Sequence, residues 1–353
     1  MEKIRAFCKR KNIVFSAKRY FIDAMSAMAQ GLFCSLLIGT IIKTLGQQLD
    51  LAFLVEMGGF ATAMAAPAMA IAIGYALQAP PLVLFSLAAV GQAANTMGGS
   101  GGPLAVFFIA IIAAEIGKAI SKETKVDILV TPFVTIFAGV CVSYAIAPPI
   151  GAAANAFGTL INETTQLQPF WMGIAVSVLV GIALTLPISS AAICHTLGLV
   201  GLAGGAAVAG CCAQMVGFAV MSFRENRWGG IVSQGLGTSM LQMGNIVRNP
   251  RIWIPPIIAS AITGPIATCL FRLQMNGSPV SSGMGTCGFV GQIGVYTGWV
   301  NDVASGAKSA ITGMDWLGMI LICFVLPAVL SWVFCEILRK WGWIRQDDLK
   351  LDL

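Results

Sequence analysis

The stretch PISSAAICHTLGLVGLAGGAAVAGCCAQ, residues 187–214, decides how this chain is read. It is as apolar as a membrane span, and it holds His195, the single histidine in 353 residues. It also opens with Pro187, Ser189 and Ser190 and is interrupted by Gly198, Gly201, Gly204 and Gly205. Such a segment is hydrophobic enough to enter a bilayer and poorly built to cross it as one regular helix. Backbone groups freed by glycine at membrane depth must meet protein or a water-filled cavity, because lipid offers them nothing. The stretch therefore predicts a re-entrant or interrupted element lining a polar site, with His195 in it, since an ionisable side chain inside a membrane points first to function. The alternative is that small residues let helices pack closely and His195 bonds a neighbouring carbonyl.

Composition extends this reading to the whole chain. Hydrophobic residues make up 57% and charged residues 10%, against about 25% charged in soluble domains. The fold class that follows is an all-α polytopic membrane protein. The 40 glycines are scattered among apolar runs without a collagen-like period, which fits packed or broken membrane helices. The net charge of +6 comes mostly from basic ends and connections, so it reports orientation in the membrane, and no nucleic-acid motif is present. Ten cysteines, among them Cys34, Cys141, Cys194, Cys269, Cys323 and Cys335, are spread through the spans and make no disulfide framework. Cys211 and Cys212 lack the two-residue gap of a zinc or redox pair, so no metal and no cofactor is expected.

A span needs roughly 20 apolar residues. Candidates are residues 21–45, 51–77, 80–96, 103–120, 128–150, 169–186, 252–271 and 311–337. The Gly-rich segment 92–103 between the third and fourth reads as a tight turn, and Lys118 is placed to pair with Glu115 on one helical face. Basic residues before the first span, at Lys118, Lys122 and Lys125, and at Arg339, Lys340 and Arg345 place both termini in the cytoplasm, with 151–168 outside. The stretch 187–214 and a second broken stretch, 276–292, add partial crossings. The expected architecture is about 8–10 transmembrane helices with two re-entrant hairpins. Short Gly/Pro-interrupted segments mark a transporter's binding site, and both lie in the second half. The chain thus divides into a regular scaffold domain, 1–168, and a substrate-handling domain, 169–353.

The candidate site is a set of neutral donors and acceptors: His195, Gln214, Gln242, Asn245, Asn276, Ser278, Ser281, Ser282 and Gln292. Amides and hydroxyls replace water around a polyhydroxylated or otherwise neutral solute without burying net charge, whereas an ion pathway would show acids at depth. Each amide also has an alternative role as interhelical glue. A catalytic role is the poorest fit, because no nucleophile, base and orienter occur together. A transporter and a membrane sensor of the same solute both remain.

These features resemble the IIC membrane component of the bacterial phosphotransferase system, of glucose-superfamily architecture, and within it the IIC-like family labelled as toxin regulators. The resemblance rests on a scaffold half followed by a half with two broken stretches, on His195, on Ile262-Thr-Gly264-Pro-Ile and on Asn276-Gly-Ser-Pro279. It implies a homodimer joined through the first half, an elevator-like movement of the second, a bacterial plasma-membrane location, and separate IIA/IIB phosphocarrier partners. A membrane histidine and a hairpin glutamate contact the sugar in that superfamily. His195 matches the first, while Gly264 stands where the glutamate belongs and the Asn276-Gly-Ser-Pro279 turn also lacks an acid. The alternative function is therefore a solute sensor or regulator without phosphorylation-coupled transport.

Overall fold

The structure is a computed structural model that describes residues 2–351. It is helical throughout; the one β-type pairing among the described residues is an isolated antiparallel bridge between Gly201 and Met275. Six helical stretches are long and apolar enough to cross a membrane, or seven with the pair Ala52–Ala63 and Ala65–Ala76, which bends by 44°. One of the six, Pro81–Ile120, is folded back on itself. A straight helix would hold Val83 and Gly117 about 50 Å apart, yet a Cβ added at Gly117 would lie 2.7 Å from the Val83 side chain. The reversal sits at Gly99, whose φ of +52° belongs to the region glycine enters without a steric penalty. The Gly-rich segment 92–103 is thus a tight interhelical turn.

The chain divides into two compact units, Met1–Ala153 and Ala154–Leu353, with the boundary inside the 38-residue helix Asp127–Thr164. In the first unit, Lys118 is 1% exposed and its ammonium meets the Glu115 carboxylate at 2.9 Å, as the sequence spacing predicts. It also donates to the Leu77 main-chain oxygen at 3.1 Å. Large apolar side chains such as Phe85, Ile128, Leu129 and Phe133 stay exposed, the pattern of helices whose outer faces meet lipid.

The second unit is built around the helix Gly201–Met221, buried along most of its length. The helix Pro169–Thr185 packs beside it in the same direction: a Cβ on Gly181 would touch the Gly210 oxygen at 2.8 Å, and Thr185 Oγ1 reaches Gln214 Oε1 at 3.2 Å. Two consecutive helices running the same way need a return limb, and residues 186–200 supply it. That limb is broken, as Pro187 and Gly198 predict. The expectation of one interrupted element over 187–214 is corrected: Gly201, Gly204 and Gly205 belong to the continuous helix Gly201–Met221, long and apolar enough to cross a membrane. A Cβ at Gly205 would strike the Leu273 main chain, so this glycine serves close packing and does not break the helix. Helices Pro250–Leu270 and Gly313–Lys340 pack against the same central helix, where a Cβ at Gly217 would meet the side chains of both Pro256 and Ser331. Near the end of the central helix, Arg339 pairs with Glu225 at 2.6 Å, both side chains largely buried.

Candidate functional site

Two hairpins and the return limb converge on the central helix. The return limb carries the short helix Ser190–Thr196, whose N-cap Ser189 accepts a hydrogen bond from the Ala192 main-chain N–H at 3.2 Å. Its last turn closes with Gly198 N–H to His195 O at 3.1 Å and Leu199 N–H to Cys194 O at 2.9 Å, with Gly198 at φ +60°. This is a Schellman cap, and it explains why glycine follows the histidine at that spacing.

The first hairpin leaves Met275, runs beside the central helix to a turn at Gly285–Phe289, and returns through Val290–Ala304. Its entering limb is tied to the return limb by main chain and hydroxyls. Gly201 and Met275 exchange two hydrogen bonds of 3.0 Å. Ser282 Oγ donates to Leu199 O at 2.6 Å, and Ser190 Oγ donates to Gly283 O at 2.7 Å. Each bond satisfies a backbone group that lost its helical partner where the chain breaks. The second hairpin descends through Phe223–Val232, kinked at Arg227 (φ 51°), turns after Gly237, and returns along Ser239–Arg248. The turns of the two hairpins touch, Thr286 Oγ1 donating to Gly235 O at 2.5 Å.

The nine candidate residues fall into three groups. His195, Ser281 and Ser282 lie at the seam between the return limb and the first hairpin, with Asn276 and Ser278 at that hairpin's entry and Gln292 on its returning limb, facing the central helix. His195 is exposed and, among the described residues, its side chain has no hydrogen-bond partner. Gln292 Nε2 donates to Cys212 Sγ at 3.2 Å, while its buried Oε1 has no partner among the described residues. Asn276 donates to Asp302 at 2.8 Å in the wall of a 310 Å³ cavity that also contains Trp299 and Lys308.

Gln214 forms the second group, on another face of the central helix. Its Oε1 accepts from Thr185 and from Trp253 Nε1 at 2.9 Å, and its buried Nε2 has no partner among the described residues. Thr185 in turn contacts Ser239 at 2.8 Å. Gln242 and Asn245 form the third group. Gln242 donates to Gln234 Oε1 at 2.9 Å and to Leu349 O at 3.0 Å; Asn245 donates to Gln242 Oε1 and to Lys350 O, both at 2.8 Å. Asn226 also donates to Leu349 O, at 2.7 Å. These amides hold the C-terminal segment, whose Leu349 is fully buried.

Sequence reasoning named Ser190 only as an opening feature of the stretch 187–214 and not as a site residue, and it did not single out Thr286, Asn226 or Trp253. The signal that could have found the first two is a hydroxyl placed where glycine or proline stops a helix, since a freed carbonyl there needs a donor. Both positions that lack the acid are close backbone contacts. Gly264 lies against the Gly173 main chain, where a Cβ would come 2.7 Å from the Gly173 carbonyl carbon, and a Cβ at Gly277 would come 3.0 Å from that of Gly294. Neither position has room for a carboxylate side chain.

Among the described residues, no group of three or more His, Cys, Asp or Glu is placed to hold a metal ion. What the region offers chemically is neutral hydrogen bonding from an exposed imidazole and orphaned amide atoms. Residues 22–351 match the family described as Phosphotransferase system, EIIC. No curated protein and no solved structure matches the chain.

Proposed function

We propose, from the premise that this chain belongs to the phosphotransferase system EIIC family, that it carries a sugar or related neutral polar solute across the membrane. Membership makes it a multi-pass membrane protein of transporter type, with IIA/IIB phosphocarriers as its possible partners. The finer reading is ours. The hairpin that holds the broken stretch 276–292 is re-entrant, as is the hairpin 223–248, which takes the place the sequence reading gave to 187–214. The second domain, 169–353, moves as an elevator, and the scaffold domain, 1–168, joins two copies in a homodimer. Both termini face the cytoplasm of a bacterial cell.

The observation that carries this reading is the pairing of the two broken stretches, through Gly201 with Met275 and Ser282 with Leu199, beside the exposed His195. With the broken backbone satisfied in this way, the His195 imidazole and Gln292 Oε1 remain without a hydrogen-bond partner among the described residues, beside the interrupted segments where a transporter holds its solute. We place His195, Gln292, Asn276, Ser278, Ser281 and Ser282 at the solute path and Gln214 behind it, with Gln242 and Asn245 acting through the C-terminal segment they hold.

The second reading, a sensor without phosphorylation-coupled transport, is favoured by Gly264, which packs too tightly to have a glutamate in its place. Uptake of labelled hexoses and hexitols into proteoliposomes, with and without IIA/IIB phosphocarriers, separates the two. The account expects flux for at least one solute without phosphoryl donor. Saturable binding with no flux in either condition would favour the sensor.

A further inference from the structure

A second polar cavity, of 420 Å³, opens in the first unit and plays no part in the reading above. Its walls include four cations, Arg10, Lys11, Lys118 and Lys122, and one acid, Glu123. Arg10 reaches Glu123 at 2.7 Å and Lys11 contacts the same carboxylate, while Lys118 is paired with Glu115 from behind. Four positive charges against these two carboxylates and the adjacent Asp127, which holds the Lys122 main-chain N–H, leave an excess of one. Lys122 has no side-chain partner among the described residues, although its backbone is fixed: the main-chain N–H donates to Asp127 Oδ1 at 2.6 Å at a φ of +62°. The cavity is thus net positive, with Arg10, Lys11 and Lys118 held in place by their partners and the Lys122 ammonium left over for an anion.

Its place in the fold narrows the ligand. Pro80 precedes the first helix of the 81–120 hairpin and Ser121 follows the second, so the cavity lies where the apolar helices end. Apolar side chains stand exposed on the neighbouring segments: Phe15 is 80% exposed, Val126 56% and Ile128 72%. A cationic cavity beside an exposed apolar belt matches a molecule with a phosphate head and hydrocarbon tails. We propose that this cavity binds the headgroup phosphate of an anionic phospholipid, with the acyl chains lying on the apolar side chains beside it. Inorganic phosphate shares the charge-assisted hydrogen bonding but would gain nothing from the apolar surface.

Native mass spectrometry of the full chain in neutral detergent tests this, with added cardiolipin or phosphatidylglycerol against phosphatidylcholine. The expected result is retention of anionic lipid at least about tenfold above phosphatidylcholine, with a loss of about tenfold in Arg10→Gln/Lys122→Gln. Lys122→Arg should keep the lipid, and millimolar inorganic phosphate should not displace it. If the double variant is poorly folded, Lys122→Gln alone is read, because its side chain supports no other contact. Equal retention of phosphatidylcholine, unchanged occupancy in the folded variant, or displacement by inorganic phosphate would each overturn the proposal.

Discussion

Thr286, at the turn of one hairpin, donates its hydroxyl to the main-chain oxygen of Gly235, at the turn of the other, 2.5 Å away. The bond joins two segments 51 residues apart in sequence and supplies a donor to a carbonyl in the last helical residues before the turn, Ser233–Gly237. Thr286→Val keeps the shape and removes the donor, which should cost about 1 kcal/mol and lower the melting temperature. Thr286→Ser should melt like the parent. Equal melting of the valine and parent proteins would show that the two turns are held by packing alone.

Asn245 and Gln242 are committed to the main-chain oxygens of Lys350 and Leu349. Replacing Asn245 with alanine leaves the Gln242 and Lys350 acceptors unmet, a loss of about 1–3 kcal/mol. The C-terminal segment should then detach before the rest of the unit melts. Limited trypsin digestion reads this as faster cleavage after Arg345 and Lys350. Unchanged protection in Asn245→Ala would mean the segment is anchored by Leu349 burial and not by the amides.

Gly264 packs backbone to backbone against Gly173. Even Gly264→Ala should destabilise by about 1–3 kcal/mol through overpacking, and Gly264→Glu should fail to fold stably. Thermal melting of the alanine variant decides the point. A parent-like melting temperature would show that the two helices can separate and that an acid is tolerated there.

The helical membrane class, the broken stretch around His195 and the Glu115–Lys118 pair were legible because each follows from local rules: mean polarity, helix breakers, and three-residue helical spacing. The polar residues were legible as a set and not as groups. Gln242 and Gln214 look alike in sequence, yet one holds a carbonyl more than a hundred residues away and the other meets Thr185 and Trp253. Which partner each amide takes is decided by tertiary contacts that no spacing encodes. The same holds for Gly264, whose meaning lies in the glycine opposite it on another helix.

Glu123 lies outside the helices, and its hydrogen bond from Lys11, reinforced by Arg10, holds its carboxyl below the ordinary value of 4.5. A carboxylate with a depressed folded pKa contributes stability that is complete above the unfolded value and lost as pH falls through the folded one. Contact between the N-terminal helix Glu2–Arg10 and the 121–126 connection should therefore hold at neutral pH and loosen only below about pH 4.5. Hydrogen exchange across both segments, measured from pH 7 to pH 3.5, follows the loss. Loosening that begins near neutrality would assign the contact to another group.

The most direct measurement of the central claim is a binding titration of His195→Ala with a sugar taken from the uptake panel, beside a melting curve on the same preparation. His195 is exposed and has no side-chain hydrogen-bond partner among the described residues, so the account predicts parent-like melting. It also predicts affinity weakened by about 1–3 kcal/mol, roughly 5- to 150-fold in Kd. Unchanged affinity in the well-folded variant would contradict the account and move the solute site away from the seam beside His195.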